Sequence, residues 1–328
     1  MEVGIILGDQ WSTLPARDHL DGLLRQVEAA QRNGITLLTL GQHFLYPDVR
    51  WLQPIPTLAR LSAELDEGAR IATTIVIVPL YHPVVLAEEL ATLDIVSEGR
   101  LVVGAGLGYR AEEFTYLGVE MRERAARFDE AIELMVKLWT QDTVTHRGLF
   151  WAIEDAPTHL RPVQQPHPPL WIGGQSDAGV RRAARLGQAW TIPPSCSVEE
   201  VARWIELFQS TRDALGLPRV DRFPVRREVS IGRDRADALA AFERRAKSRY
   251  LAYSKHGRTW AGTPEDLDRT FHETVGGHLV AGTAEEVREE LIGIARSLPV
   301  GPLILRPSWP DMATGEVVET LDLLGCEL

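Results

Sequence analysis

The chain has 328 residues, 45% hydrophobic and 25% charged, which is typical of a globular protein, and α/β barrels of this length are often one domain. Its formal net charge of −11 argues against nucleic acid and anionic membrane surfaces as partners, since both need clustered Lys and Arg. No apolar run approaches the roughly 18 residues of a membrane-spanning helix, and the two cysteines, Cys196 and Cys326, exclude a disulfide framework, so we expect a cytoplasmic protein.

Two strand–helix units are predicted at the start of the chain. Glu2 to Leu7 is an apolar strand and lacks the basic region of a signal peptide. Arg17 to Asn33 has leucine and valine at helical spacing. Thr36 to Leu40 is the next strand, which ends at Gln42 and His43 before a loop that contains Trp51.

A strand, a helix and a second strand follow. Ile71 to Val78 is a β-branched run without polar alternation, which indicates a strand buried on both faces of a parallel sheet. A helix from Val84 stops at Gly99, and Leu101 to Ala105 is the next buried strand. Together they predict a right-handed βαβ unit, with Gly106 and its neighbours where the second strand ends.

The rest of the chain continues the alternation. The predicted helices are Glu123–Thr140, Ser176–Gly187, Val198–Leu215, Ala236–Tyr253 and Glu316–Leu324, the strands are Pro169–Ile172, Gln188–Ile192, Val225–Ile231 and Leu303–Arg306, and Val144–Ile153 is a hairpin. Lys255 to Gly282 has the Gly, Thr and His content of a mobile loop. Eight strands alternating with helices predict an α/β fold, a single (β/α)8 TIM barrel over residues 1–328 with insertions after strand 4 and before strand 8.

Active sites of such barrels lie at the carboxyl ends of the strands. The residues predicted there are rich in aromatics and glycine, which suits a flat conjugated ligand. They include Trp11, Gln42, His43, Gly106, Tyr109, Gly174, Trp190 and Arg306. His272 and His278 are too loosely placed to predict a metal site, so we predict none.

The segment Gly173-Gly174-Gln175-Ser176-Asp177 is the best candidate for an anion site. A strand that passes through two glycines into a helix start leaves free backbone N–H groups at the positive end of the helix dipole. The alternative is that Ser176 or Asp177 only caps the helix, and spacing alone leaves both open.

His43 is the best candidate for an acid or base, because imidazole titrates near neutral pH. A histidine after a strand is also often a satisfied structural group, and that alternative is open. Gly104-x-Gly106-x-Gly108 is not a dinucleotide fingerprint, because Tyr109 stands where the third glycine belongs and no immediate apolar helix follows.

One long ordered motif resembles the bacterial luciferase-like flavin and deazaflavin oxidoreductases. It consists of Pro79, Leu80, His82, Pro83, then Ala91, Thr92, Leu93, Asp94, Ser97, Gly99, Arg100, then Gly104 and Gly106. The resemblance extends over essentially the whole chain, including the closing segment from Leu303 to Met312.

The resemblance implies roles for the candidate residues. Gly173 to Asp177 would hold the cofactor phosphate, Gly106 would let the backbone approach the flavin ring, and His43 would face its reactive edge as acid or base. Family members often have a non-prolyl cis peptide in the third strand, which here would fall near Thr74-Ile75 or Ile75-Val76. Tyr109 and Trp190 would line the pocket, and Trp11, Trp51 and the Lys255–Gly282 loop would select the substrate.

The implied activity is a monooxygenase that uses reduced FMN and O2, with a separate flavin reductase as partner and a homodimer as the assembly. The alternatives are a hydride-transfer oxidoreductase dependent on the deazaflavin coenzyme F-420 and a non-catalytic flavin-binding protein. Many deazaflavin enzymes have an acid where this chain has Tyr109, which favours FMN, although Arg50 and Arg110 could receive a polyglutamate tail. Leu107 replaces an arginine of the luciferases proper, so the chain is not a close relative of those.

Overall fold

The computed structural model describes residues 2–8, 15–47, 49–256, 263–275, 277, 279–310 and 312–325. The first half of the chain alternates strands and helices as the hydrophobic pattern predicts. Its elements are β1 (Val3–Ile6), α1 (Ala16–Arg32), β2 (Leu37–Leu40), α2 (Pro54–Ser62), β3 (Arg70–Thr73), β4 (Val76–Ile77), α3 (Pro83–Val96), β5 (Leu101–Gly106), α4 (Ala111–Tyr116) and α5 (Arg124–Thr140).

The second half opens with the predicted hairpin. Its elements are β6 (Thr143–Arg147), β7 (Ala152–Pro157), β8 (Leu170–Gly173), α6 (Asp177–Leu186), β9 (Ala189–Thr191), α7 (Val198–Ala214), β10 (Phe223–Ile231), α8 (Arg235–Lys255), α9 (Pro264–Val275), β11 (Leu279–Gly282), α10 (Ala284–Ser297), β12 (Val300–Arg306) and α11 (Thr314–Leu324). β6 and β7 pair antiparallel with each other.

The other ten strands form one parallel, curled sheet. The order along the sheet is β11-β10-β12-β1-β2-β3-β5-β8-β9, with β4 paired to β5. An isolated parallel bridge joins Ile192, just after β9, to Val225 of β10, so the β9 end of the path lies beside β10. The helices pack on the outside through a continuous apolar core.

Seven strands each contribute one buried residue to a small apolar cluster that is separate from the main core. Its strand members are Ile6, Leu37, Ala72, Val102, Trp171, Ala189 and Ile304. Because side chains alternate between the two faces of a strand, this cluster identifies the inward face of the curled sheet. The cavity described below contacts the same inward face at the carboxyl ends of the strands, where Ile6 belongs to both.

Four local predictions need correction. The single strand predicted from Ile71 to Val78 is divided into β3 and β4, with a turn of 3-10 helix over Val78–Leu80. A short helix, α4, does follow Gly108, although its polar first turn gave no apolar signal. The predicted loop from Lys255 to Gly282 holds α9 and β11 in its described part, because Leu267, Phe271 and Val275 pack against α8.

The fourth concerns α10, which the sequence pattern did not reveal as a separate helix. In the described residues, no helix is both long and apolar enough to span a bilayer.

Candidate active site

A cavity of about 410 Å³ lies at the carboxyl ends of the parallel strands. Ten of the predicted site residues line this cavity: His43, Trp51, Thr74, Ile75, Gly106, Tyr109, Gly173, Gly174, Gln175 and Ser176. The strands β2, β3, β5 and β8 therefore bring together residues that lie more than 130 positions apart in the chain. Trp11 and His278 lie outside the described residues.

One wall of the cavity is made by the ends of β3 and β5. The peptide bond between Thr74 and Ile75 is cis, as the resemblance implied. The Thr74 hydroxyl donates to Thr39 Oγ1 at 2.9 Å. A Cβ atom on Gly106 would lie 2.5 Å from Ile75 Cδ1, so any larger residue here would require the Ile75 side chain to move. The wall is thus flat, and apolar side chain and backbone share it.

The loop from β8 into α6 forms one end of the cavity. Ser176 is the N-cap of α6, and its Oγ accepts a hydrogen bond from the Gly179 N–H at 3.1 Å. The first two N–H groups of a helix have no partner inside the helix, so those of Asp177 and Ala178 are left for an external acceptor. Gly174 is needed here for packing, because its Cβ would lie 2.8 Å from the Gly179 carbonyl carbon.

Asp177 is not among the residues that line this cavity, so its carboxylate is directed elsewhere and only its backbone N–H remains a candidate phosphate donor. Its carboxylate accepts a hydrogen bond from Trp204 Nε1 at 2.9 Å and pairs with Arg203 at 3.3 Å. Hydrogen bonding to Trp204 and the nearby Arg203 lower the pKa of Asp177. The negative charge is therefore directed at α7 and away from the helix start.

Trp190 is likewise not a pocket residue. It is fully buried, its Nε1 donates to the Gly174 carbonyl at 2.9 Å, and its ring packs edge-on against Trp204. The β-strand alternation places this large ring on the core side of β9, where it supports the β8–α6 loop from behind. Trp190 therefore positions the loop and does not contact a ligand in the cavity.

His43 is held by a carboxylate that the sequence analysis missed. Its Nδ1 lies 2.8 Å from Glu113 Oε1, and the same oxygen accepts the Phe44 N–H at 2.9 Å. Glu113 is fully buried on α4, and Arg110 contacts it at 3.5 Å. Burial lowers the pKa of His43, while the Glu113 carboxylate opposes that shift. Neutral His43 with Nδ1–H donated to Glu113 leaves Nε2 as an acceptor.

Aromatic rings surround the imidazole. Trp51 packs edge-on against His43 at 4.5 Å between centroids, Tyr109 at 5.7 Å, and Tyr46 lies at 4.9 Å. The Trp51 indole donates to the Gly41 carbonyl at 3.0 Å, which fixes its ring over the end of β2. Gln42 binds Gln53, Tyr81 and the Ile77 N–H, so it is structural. Arg110, considered above for a polyglutamate tail, is buried beside Glu113 and stacks on Tyr46.

A second set of lining residues is strongly charged, and the sequence analysis placed only Arg306 of this set at the site. Arg226 and Glu228 of β10, Arg306 of β12 and Arg249 of α8 line the cavity with Tyr253. The two guanidinium groups of Arg249 and Arg306 outweigh burial and lower the pKa of Tyr253. Arg226 and Glu228 occupy alternate positions of β10, and this spacing was the sequence signal for charged side chains on one face of that strand.

The luciferase-like monooxygenase family model matches residues 1–300 of this chain. The chain belongs to the luciferase-like monooxygenase family. An uncharacterised protein of Sinorhizobium fredii, y4wF, is 28% identical over 98% of this chain and 94% of its own length. The oxygenase component of a flavin-dependent trigonelline monooxygenase from Acinetobacter baylyi is 28% identical over 58% of this chain and 53% of its own. The chain thus matches about half of that relative.

Solved structures of the family have the same fold. The monooxygenase RslO1 from Streptomyces bottropensis superposes with a TM-score of 0.83 at 25% identity, over 99% of this chain and 97% of its own. A second structure is the oxygenating constituent of 3,6-diketocamphane monooxygenase from Pseudomonas putida, solved with FMN. It has a TM-score of 0.81 at 20% identity and covers 100% of this chain and 97% of its own. A secondary alcohol dehydrogenase that depends on coenzyme F-420 has a TM-score of 0.78 at 18% identity and covers 98% of this chain and 97% of its own. Proteins with this fold therefore include one solved with FMN and one that depends on coenzyme F-420.

Proposed function

We propose that the protein is a monooxygenase that uses reduced FMN and O2 to oxygenate a small organic substrate. One observation carries the proposal: a single cavity combines a wall of Ile75 and Gly106, the loop that leads into the start of α6, and an imidazole held by a buried carboxylate. A flat ring, a phosphate and a proton-transfer group are the three features that such a reaction requires at its site.

The residues present fit this cofactor. Gly106 lacks the side chain that would intrude on a ring beside Ile75. Gly173 to Ser176, with the first N–H groups of α6, would bind the phosphate, and Arg124 also lines the cavity. The redirected carboxylate of Asp177 removes the one negative charge that opposed a phosphate here.

Bound reduced FMN would supply the activation of O2. His43 would accept or donate a proton through Nε2, and Glu113 would hold the imidazole in the tautomer that leaves Nε2 free for this task. Trp51, Tyr109 and Tyr253 would exclude water from the reacting atoms. Tyr109 has a ring contact with Tyr253 at 6.3 Å, which joins α8 to the loop after β5.

Anaerobic titration with reduced FMN tests this proposal, with quenching of the protein's tryptophan fluorescence as the signal. Trp51 lines the cavity, so binding there should quench its emission. We expect saturable binding of reduced FMN and, after O2 is admitted, formation of an oxygenated product from a substrate panel. Saturation by reduced coenzyme F-420 with no response to reduced FMN would contradict the proposal.

The second candidate is hydride transfer with coenzyme F-420. A glucose-6-phosphate dehydrogenase of Microbacterium testaceum that depends on this coenzyme is 36% identical over 42% of this chain and 40% of its own length. His43 and Glu113 would serve a carbonyl substrate equally well as a proton relay. Tyr109, in place of an acid beside the coenzyme, supports FMN instead.

Expectations about the fold and the assembly accompany the proposal. We infer that the curled sheet is a complete (β/α)8 barrel and that residues 1–328 form one domain, with insertions at the β6–β7 hairpin and at α9–β11–α10. The bridge between Ile192 and Val225 supports closure of the barrel.

We also propose a separate flavin reductase as partner, because the A. baylyi relative is named an oxygenase component. We further propose that the protein is a cytoplasmic homodimer, and size-exclusion chromatography tests the dimer.

A further inference from the structure

A row of inward-facing residues crosses neighbouring strands at the carboxyl ends of the sheet. The row is Gly106 of β5, Gly173 of β8 and Thr191 of β9, and all of them line the cavity. Gly173 is paired with Thr191, and the pairing of β5 with β8 one residue earlier places Gly106 on the other side of Gly173. Residues two or four positions earlier on the same strands belong to the small apolar cluster, so this row also faces inward.

The two glycines leave the row without side chains as far as Thr191. A Cβ atom on Gly173 would lie 3.7 Å from Ile75 Cγ2 and 3.7 Å from Thr191 Cγ2, so these two side chains border the space in front of Gly173. Neighbouring strands are about 4.8 Å apart, so the row from Gly106 to Thr191 spans about 10 Å. It therefore connects the proposed ring wall with the strand beside the proposed phosphate loop.

The Thr191 hydroxyl is the polar group of this row. The residue is 4% exposed, and its Oγ1 atom is buried with no hydrogen-bond partner within the described part of the chain. The other Ser and Thr side chains described in the lining each have a hydrogen-bond partner: Thr74, Ser176 and Ser195. Because a buried hydroxyl is costly without a hydrogen bond, the exception at Thr191 indicates a group that a ligand satisfies.

The end of β9 is held against the proposed phosphate loop from two sides. Gln175 Nε2 donates to Ser195 Oγ at 2.6 Å, and both residues line the cavity. On the core side, Trp190 Nε1 donates to the Gly174 carbonyl at 2.9 Å. Thr191 follows Trp190 directly, so its position relative to the loop is fixed by these two hydrogen bonds.

We propose that the Thr191 hydroxyl binds the polyol chain that links the ring of FMN to its phosphate, through a hydrogen bond to a hydroxyl group of that chain. The inference rests on the proposed function, since it takes the ring to lie at Ile75 and Gly106 and the phosphate at the start of α6. A ligand held at both points has to pass along the row between them. A threonine hydroxyl both donates and accepts, which suits a polyol, and Thr191 would thereby favour flavins that carry the chain.

Anaerobic titrations with reduced FMN, riboflavin and lumiflavin test this inference, with tryptophan quenching as the signal. Riboflavin has the chain without the phosphate, and lumiflavin has a methyl group in place of the chain. Thr191→Val removes the hydroxyl at nearly constant volume. It should weaken FMN and riboflavin by about three- to tenfold, the scale of one hydrogen bond between neutral groups, and leave lumiflavin unchanged.

Thr191→Ser keeps the hydroxyl and should retain the affinities for FMN and riboflavin within about twofold. Unchanged riboflavin binding by Thr191→Val would overturn the inference. An equal loss for lumiflavin would also overturn it, because the contact would then be with the ring. The same loss in Thr191→Ser as in Thr191→Val would assign the effect to the shape of the side chain and would refute the hydrogen bond.

The melting temperatures of the unliganded proteins distinguish ligand binding from a structural role. Thr191→Val should keep or raise the melting temperature, because it removes a polar group that the fold does not satisfy. Thr73→Val is the matched control, since the Thr73 hydroxyl donates to the Gly104 carbonyl at 2.7 Å between β3 and β5. This control should melt at a lower temperature and keep the ratio of riboflavin to lumiflavin affinity. A lower melting temperature of Thr191→Val would show that its hydroxyl serves the fold and would overturn the inference.

Binding by the unchanged protein separates the inference from its foundation. If FMN binds and Thr191→Val has no effect, only the inference fails. If coenzyme F-420 binds and FMN does not, the proposed function is contradicted. That coenzyme has a polyol chain of the same kind, so its weaker binding by Thr191→Val would still support the inference. Binding of neither coenzyme would overturn both.

Discussion

The two walls of the cavity recognise ligands by different chemistry. The wall of β3 and β5 contains Thr74, Ile75 and Gly106, where a Cβ would meet the Ile75 side chain, and it has no charged lining residue of its own. The wall of β10 and β12 contains long charged side chains, Arg226, Glu228 and Arg306. The first wall suits the apolar, planar ring of a cofactor better than the second, so we assign the cofactor ring to the first wall.

His43 and Glu113 lie between these walls, and the largest effect is expected there. His43→Ala should lower turnover by about 10²-fold or more, because it removes the acid–base group, and should leave FMN affinity nearly unchanged. Steady-state oxygenation with the true substrate measures the first quantity, and tryptophan quenching measures the second. Full turnover by this variant would remove His43 from the mechanism.

Glu113→Gln should have a smaller effect, about tenfold on turnover, since Glu113 acts only through His43. The carboxylate raises the pKa of His43 against the larger effect of burial, so its loss lowers that pKa further. If neutral His43 is required, the acidic limb of the pH–rate profile should move to lower pH. An unchanged limb would mean that Glu113 only holds α4 in place.

These two residues also show what the sequence can and cannot reveal. His43 was predictable because it directly follows a recognisable strand. Glu113 was not, because it lies 70 positions away in a short helix whose polar first turn is typical of a loop. Most helices and strands were predicted within a few residues, since each buries one periodic apolar face.

The charged wall was predicted only at Arg306, for a different reason. Arg226 and Arg306 lie in strands that are otherwise apolar, and only the register between β10 and β12 shows that they face the same cavity. Trp190 illustrates the reverse error, because a tryptophan near a strand end is as suitable for the core as for a pocket. The choice between the two faces of a strand depends on tertiary contacts.

The two glycines of the β8–α6 loop should differ in their effect on stability. Gly174→Ala places a Cβ 2.8 Å from backbone of α6 and should destabilise the protein by about 1–3 kcal/mol, the usual cost of overpacking. Gly173→Ala is the matched control, since its Cβ would meet no atom closer than 3.7 Å. Urea unfolding measures both, and equal stability of the two variants would contradict the close packing of Gly174 on α6.

The smallest expected effect is on the pH dependence of stability. Burial lowers the pKa of His43 in the folded protein, so the unfolded chain binds a proton first as the pH falls. The contribution of neutral His43 is therefore complete above its unfolded pKa of about 6.5 and is lost as the pH falls through the folded pKa. His43→Gln should reduce the change of melting temperature with pH between about pH 6.5 and pH 5. The same dependence on pH in this variant and in the unchanged protein would contradict burial as the dominant effect.

The position of the cofactor phosphate is tested by one comparison of FMN with riboflavin, which has the same ring and no phosphate. If Gly173 to Ser176 and the start of α6 bind the phosphate, riboflavin lacks two or more charge-assisted hydrogen bonds that FMN forms. Its affinity should therefore be at least about a hundredfold lower than that of FMN. Ala178→Asp adds a negative charge beside those N–H groups and should weaken FMN alone. Ala236→Asp, at the second position of α8, is the matched control and should change neither ligand. Similar affinities for FMN and riboflavin would contradict the account, because Ser176 would then only cap α6.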